Sequence, residues 1–366
     1  MTLRGEPRLW YTYASRRWHR VPSVRLMART PPPTSHDVAR VAGVSQPTVS
    51  RALRDDPRLS EETRLRVQEA ARALNYVPSQ RGRSLATRST GQVGIVVSDL
   101  GNPFYLQVLD ALHEELHRSG LRMLVLTPDD DERVPLERVV DGSLDGVILT
   151  TTPLHSTLPA QLSERGFPFV LLNREIDDTP GDVCVVDNAE GARLIAEELL
   201  SLGHRAIAAV FGPDTTSTGR DREASFRAVL ADAGVDLPAE RWRRAPFDFS
   251  EGQRCTLELL PSEPTALFAG NDILALGAYN ALYAKGVRVP ADISLIGFDD
   301  VSLAAWEAFQ LTTVSQDIEH MVKTSTELLL SRIAAEPDAH IAPRRVVLPA
   351  RLVRRATHGP PPVSGA

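Results

Sequence analysis

The chain has two cysteines in 366 residues, 5% aromatic residues and no apolar run near the roughly 20 residues that span a bilayer. A membrane-spanning protein is not indicated. Cys184 and Cys255 stand far apart in sequence. With no metal-ligand spacing around them, they are expected to be two small buried side chains in a reducing cytoplasm rather than a disulfide or a zinc site. The nine histidines show no metal spacing, and no Ser/His/Asp or Cys/His arrangement comes with a supporting motif. No metal, no cofactor and no enzyme activity are therefore expected. The first apolar strand runs VGIVVSDLGNP where a dinucleotide fold would place G-x-G-x-x-G, and FGPDTTSTGRDREASF, Phe211 to Phe226, lacks the GK[ST] of a phosphate loop. The first 26 residues hold no continuous apolar run and no small-residue cleavage site, so they are not a secretory signal. They are expected to be disordered or absent, with translation from Met27. The tail ATHGPPPVSGA carries no leucine heptads, so no tetramerising coiled coil is indicated, and it reads as disordered.

Charge is present but unevenly spread. Residues 1–90 hold 17 Arg and no Lys against 7 Asp and Glu, a balance of +10, while the remainder carries 24 basic and 40 acidic residues, or -16. A basic head on an acidic body suits a protein whose one end neutralises phosphates while its bulk stays soluble. Within that head, Thr34 to Leu53 reads TSHDVARVAGVSQPTVSRAL. Thr34 can cap a helix, with Asp37 placed to answer the cap, and Val38, Ala39 and Ala42 form an inward stripe. Gly43 supplies the positive φ of a tight turn, Val44 plugs the corner, and Ser45 caps a second helix that tolerates Pro47 only in its first turn. This is a helix-turn-helix. The second helix buries Val49, Ala52 and Leu53, leaving Gln46, Pro47, Thr48, Ser50 and Arg51 on the outer face. Such side chains can read DNA, because Arg bonds guanine and Gln bonds adenine in a bidentate manner in the major groove. An ordinary helical hairpin with a polar outer face is the plain alternative. Ser60 starts a third helix, whose Leu65, Val67, Ala70, Ala71 and Leu74 close a three-helix core.

NYVPSQRGRSLA, Asn75 to Ala86, reads as a linker, since Pro78 ends one element and an arginine-bearing segment follows. From Val93 the texture becomes short β-branched runs alternating with amphipathic helices: VGIVV, RMLVL, GVILT, FVLL and VCVV, then AIAAV, ALFAG and SLIGF after a helix at Ala189 to Leu202. The first series implies a parallel α/β sheet and the second a further one, hence two lobes with a cleft between them. Asp317 to Ala335 reads as one more amphipathic helix and RRVVLPARLV as a closing strand region.

DVARVAGVSQPTVSRAL, LSEETRLRV and LNYVPSQRGRSLA resemble the start of the lactose-repressor (LacI/GalR) family of bacterial transcription regulators, and the resemblance extends from Thr34 to about Thr357. It implies a three-helix DNA-binding domain, a hinge that folds into a short helix on operator DNA, and a two-lobed domain like the periplasmic binding proteins. In the family a hinge leucine wedges into the minor groove, which places Leu85 there. Gly82 departs from the family's alanine and weakens a hinge helix by about 1 kcal/mol. GNPFY, Gly101 to Tyr105, matches the loop that borders the effector and points to Phe104, although Phe104 suits a core position equally well. The resemblance also gives Arg222 the grip on effector hydroxyls, makes Phe249 in FDFSEG an aromatic that stacks on a sugar face, and adds Arg174, Asn271, Asp299 and Gln316. A guanidinium, a carboxylate, amides and an aromatic suit a small polyhydroxylated ligand. Residue by residue the alternatives are plain: Asp299 with Asp300, or Asn271 with Asp272, as helix caps, and Arg222 as a surface ion pair.

The expected organisation is a lead-in at 1–33, the DNA-binding domain at 34–77, a hinge at 78–90, an effector and dimerisation domain at 91–357, and a tail at 358–366. Lobe 1 takes 91–187 and 316–344; lobe 2 takes 188–315 and 345–357. The expected function is a cytoplasmic, homodimeric regulator, a repressor, that binds pseudo-palindromic double-stranded DNA under control of a small effector. A sugar is the leading effector, though purine-type ligands also occur in the family. A sugar-binding transport protein would share the two-lobed body but not the helix-turn-helix.

Overall fold

A computed structural model describes residues 33–77, 89–128, 134–336 and 341–362, and the chain divides into two compact units after Gly82. The expectations for residues 1–32 and for Gly82 and Leu85 of the hinge lie outside the described residues.

In the first unit three helices follow the expected signals: α1 (Ser35–Ala42), α2 (Gln46–Ala52) and α3 (Glu61–Ala73). Thr34 and Asp37 form a reciprocal capping box, and Ser45 and Ser60 cap the next two helices through Thr48 N and Thr63 N. Gly43 sits at φ 64°, which is costly for residues other than glycine, so the turn depends on it. Val38, Ala39, Ala42, Val49, Ala52, Val67, Ala70 and Ala71 fill the core. Leu65, expected there, is instead 46% exposed, because α3 turns its Val67–Ala70–Ala71 stripe inward.

The second unit has two lobes. Lobe 1 is a six-stranded, all-parallel sheet in the order β11-β5-β4-β3-β1-β2, built from β1 (Gln92–Val96), β2 (Arg122–Leu126), β3 (Gly146–Leu149), β4 (Phe169–Leu172), β5 (Asp182–Val186) and β11 (Arg345–Leu348). Helices α4 (Pro103–Arg118), α5 (Leu136–Val140), α6 (Leu158–Glu164) and α11 (Ile318–Ile333) belong to it. Its inner strands β3, β4 and β5 are buried along their whole length, which is why they read as unbroken apolar runs rather than alternating ones.

Lobe 2 is a parallel four-stranded sheet in the order β7-β6-β8-β9, from β6 (Ile207–Phe211), β7 (Trp242–Arg244), β8 (Ala266–Ala269) and β9 (Ser294–Ile296). Helices α7 (Asn188–Ser201), α8 (Ser217–Asp232), α9 (Phe249–Leu259) and α10 (Asp272–Ala284) cover it. The short strands β10 (Thr313–Ser315) and β12 (Arg351–Val353) pair antiparallel beside it.

Three features correct the sequence reading. RRVVLPARLV is not one strand region: β11 joins β5 in lobe 1 and β12 joins β10, so lobe 1 extends to Leu348 and the chain crosses between lobes at Pro349. A proline without an N–H suits such a break. Strand β7 was not anticipated, being only three residues of Trp-Arg-Arg. Thr357 and Gly359, in the segment read as a disordered tail, are also held: Leu295 N donates to Thr357 O at 2.7 Å, and Gly359 N donates to Ser294 Oγ at 3.0 Å. The carbonyl of Gly359 lies 2.8 Å from Nε2 of the fully buried His204. At the other end of the unit, Ser89 and Thr90, placed in the hinge by sequence, donate to the Asp145 carboxylate at 2.6 Å and 2.9 Å through their hydroxyls.

Candidate effector cleft and DNA-reading helix

The outer face of α2 is organised by short-range hydrogen bonds. Pro47 and Arg51 are exposed, and Gln46, Thr48 and Ser50 are half-buried. Thr48 Oγ1 is 2.9 Å from the capping Ser45 Oγ, and Arg54 donates to Ser50 Oγ at 2.6 Å. Gln46 Nε2 donates to Ser35 Oγ at 3.3 Å. Arg51, in the last turn of α2, has no ion pair among the described residues. An exposed guanidinium beside fixed hydroxyls and an amide can meet both base edges and phosphates.

In the second unit the chain crosses between lobes after β5, after β10 and at Pro349, and the loops at the carboxyl ends of the strands face one another across the junction. Arg222, on α8, is 3% exposed, and its Nη1 lies 3.2 Å from Asp299 Oδ1. Its Nε donates to Asn188 Oδ1 and its Nη1 to Gly270 O, both at 2.8 Å, and its guanidinium stacks 3.6 Å from the Phe298 ring centroid. Asp299 follows β9 with φ at 124°, in a region that favours glycine, and accepts from Gln316 Nε2 at the second crossover. A strained backbone held by an ion pair and an amide marks a functional constraint. Burial pushes the Asp299 carboxyl above the ordinary carboxylate range, against the pull of Arg222 beside it. Behind it Asp272 is wholly buried and is pushed up by burial and by the charge of Asp299, while Val301 N and Thr313 Oγ1 donate to it.

Lobe 1 contributes Tyr105, Asn173 and Arg174. The Asn173 amide donates to Tyr105 Oη at 3.2 Å, and Arg174 Nη1 donates to Thr151 O at 3.2 Å. The Arg174 guanidinium stands 5.8 Å from the Tyr105 ring and 5.9 Å from that of Phe247, which comes from lobe 2. Burial raises the hydroxyl pKa of Tyr105, with the charges of Arg174, Asp99, Asp299 and Arg222 acting on it as smaller influences. Among the described residues, Gln316 Oε1, Arg174 Nε and Asn173 Oδ1 are buried without a hydrogen-bond partner. Leaving a buried polar atom unpaired costs about 1–3 kcal/mol, so three at one lobe junction indicate a place for a polar ligand.

The lobes touch through more than this site. Leu154 N donates to Thr215 O at 2.8 Å, Glu175 N donates to Ser217 Oγ at 3.1 Å, and Arg220 of lobe 2 pairs with Asp177 of lobe 1 at 2.8 Å. A groove of about 680 Å³ reaches Asp299 from between α4 and α11, with Asp110, Glu114 and Lys323 on its walls.

Comparison with known proteins gives the family. A model described as bacterial regulatory proteins, lacI family, matches residues 34–79, and one described as periplasmic binding protein-like domain matches residues 196–358. Over 334 residues the chain is 31% identical to the HTH-type transcriptional regulator DegA of Bacillus subtilis (strain 168), covering 89% of this chain and 98% of that protein. The chain belongs to the LacI family. This LacI-family transcription regulator is also similar to the lac repressor dimer bound to operator and the anti-inducer ONPF, with TM-score 0.76 at 29% identity, over 89% of this chain and 99% of that one. A complex of the transcriptional regulator CelR with cellobiose gives TM-score 0.66 at 30% identity over the same shares of the two chains. Its relatives are thus transcription regulators rather than enzymes.

Within the LacI-family fold the expected residues separate into two groups. Arg174, Arg222, Asp299 and Gln316 converge on the junction. Arg222 is a buried guanidinium and not the surface ion pair weighed against it. Asn271 caps α10, accepting from Leu274 N at 3.1 Å, the helix-cap role weighed as its alternative. Phe104 is buried edge-on against Tyr105, and it is Tyr105 that carries the hydroxyl bonded to Asn173. Phe249 opens α9 behind the cap Asp248 and is 38% exposed, while Phe247, two residues earlier in FDF, lies against Gly212 and beside Arg174. Asn173, Asn188, Tyr105 and Phe247 were missed by sequence. Tyr105 and Phe247 lay inside the quoted motifs GNPFY and FDFSEG, whereas Asn173 and Asn188 carried no distinguishing signal. Among the described residues no group of three or more His, Cys, Asp or Glu is placed to hold a metal ion, and no helix is long and apolar enough to cross a membrane. Both cysteines are buried and free.

Proposed function

We propose that this regulator is a repressor that binds pseudo-palindromic operator DNA as a homodimer in the cytoplasm and is controlled by a sugar held between its lobes. The observation that carries the effector reading is the set of buried unpaired atoms, Gln316 Oε1, Arg174 Nε and Asn173 Oδ1, around the Arg222–Asp299 pair. Two acceptors, one donor and a carboxylate call for a ligand rich in hydroxyls. Phe247 and Tyr105 supply the apolar rings against which a sugar face packs. The cellobiose bound by a similar regulator supports the same class of ligand.

In this reading Gln46 and Arg51 contact bases, Thr48 and Ser50 contact phosphates, Pro47 meets a thymine methyl or nothing, and Leu85 enters the minor groove. Leu124 and Val125 on the edge strand β2, each more than a third exposed, support self-association. The ligand acts by its differential affinity for two arrangements of the lobes, the closed one being joined by Arg220–Asp177 and Leu154–Thr215.

Thermal unfolding against a panel of sugars, sugar phosphates, polyols, nucleosides and purines tests the effector class. A true ligand at 100 times its dissociation constant stabilises the protein by about 2.7 kcal/mol. A purine hit with no sugar hit would overturn the sugar reading. Arg51→Ala is expected to cost about 1–3 kcal/mol of operator affinity and to relax one position of the half-site, read by selection from random DNA. Unchanged sequence preference would contradict its role.

A further inference from the structure

Ser35 and Gln46 are the first residues of α1 and α2, and they are joined: Gln46 Nε2 donates to Ser35 Oγ at 3.3 Å, part-buried between the two helix starts. Neither helix needs Ser35 as a cap. Thr34 and Asp37 already close the start of α1, and Ser45 with Thr48 closes that of α2. The Ser35 hydroxyl is thus left to hold a side chain of the other helix, and that side chain is a reader of bases.

Free glutamine is a poor discriminator, because its carboxamide turns over and offers either end to a base edge. Adenine is matched by one N–H and one carbonyl together, and guanine by two donors. With one amide hydrogen committed to Ser35, Gln46 keeps one N–H and its carbonyl for the groove, the pattern complementary to adenine. We propose that Ser35 on α1 is a positioning residue that sets the base preference of Gln46 on α2, favouring adenine at one position of each half-site. This rests on the reading of Gln46 as a base contact.

The full-length protein is used to select binding sites from random duplex DNA, and the enriched palindrome then serves as the probe. Ser35→Ala is expected to lose about tenfold of the discrimination between A·T and G·C at a single half-site position. Preference at the other positions and the slope of affinity against salt stay as in the parent. Ser35→Thr, which keeps the hydroxyl, retains the preference, and Ser35→Ala adds nothing in a Gln46→Ala background. If Gln46→Ala relaxes one position while Ser35→Ala leaves it intact, or weakens every half-site variant equally, the role of Ser35 is overturned and that of Gln46 stands. If Gln46→Ala leaves every position unchanged, the base-contact reading fails and the role of Ser35 with it.

Discussion

Asp299 links three buried groups of the lobe junction: it neutralises Arg222, takes the Gln316 amide, and its charge disfavours that of Asp272 behind it. Because burial raises its pKa, the folded protein holds this proton more tightly than the unfolded chain. Its contribution to stability is therefore present below the ordinary carboxylate value and is lost as pH rises through the raised one. A ligand that bonds the ionised carboxylate shows the opposite trend. Effector affinity is expected to weaken as pH falls from neutral toward the ordinary carboxylate range, and Asp299→Asn to bind weakly with that dependence flattened. Calorimetric titration across pH checks both, and an unchanged slope in Asp299→Asn would assign the dependence elsewhere. The two aromatics of FDF separate just as sharply: Phe247→Ala should weaken effector binding about tenfold, a loss of about 1–1.5 kcal/mol of ring packing, and Phe249→Ala should leave it near the parent value. At this scale the sequence was only partly legible. Arg222, Asp299 and Gln316 were named by the family resemblance and lie together in the fold, whereas the different surroundings of Phe247 and Phe249 depend on where Asp248 starts α9, which two aromatics one residue apart do not reveal.

Whole elements were easier to read than single side chains. The helix-turn-helix was legible almost residue by residue because its caps, its αL glycine and its alanine-rich stripe are local signals, all realised in α1 to α3. The buried strands declared themselves as apolar runs. What remained hidden is non-local: β11 and β12 are three residues apart and both β-branched or apolar, yet they pair with different partners, β5 and β10. No periodicity distinguishes them. Helices α9 and α10 show a related limit, since their close approach rests on two glycines. A Cβ at Gly277 would stand 2.1 Å from Phe249 O, and one at Gly252 would stand 2.4 Å from Leu274 O. Backbone is there, not a pliable side chain. Gly277→Ala is therefore expected to destabilise the second unit by about 1–3 kcal/mol despite its better helix propensity, as read by urea unfolding. A stabilised variant would show that the two helices can part at no cost.

For the molecule as a whole, the charge asymmetry between residues 1–90 and the remainder already separated a basic head from an acidic body. The unit boundary after Gly82 agrees with that division, and membership of the LacI family gives it a function. The junction holds both the candidate effector residues and the interlobe contacts Arg220–Asp177, Glu175–Ser217 and Leu154–Thr215. A ligand there changes the lobe equilibrium by its preference for one arrangement, and linkage makes the coupling reciprocal. The most direct test is the affinity of the full-length protein for its selected palindrome, titrated with and without the sugar that stabilises it most. The account predicts a change of about 5-fold to 150-fold in operator affinity, matched by an equal change in sugar affinity when DNA is present, and its disappearance in Asp299→Asn. A sugar that binds at the junction yet leaves operator affinity unchanged would contradict it.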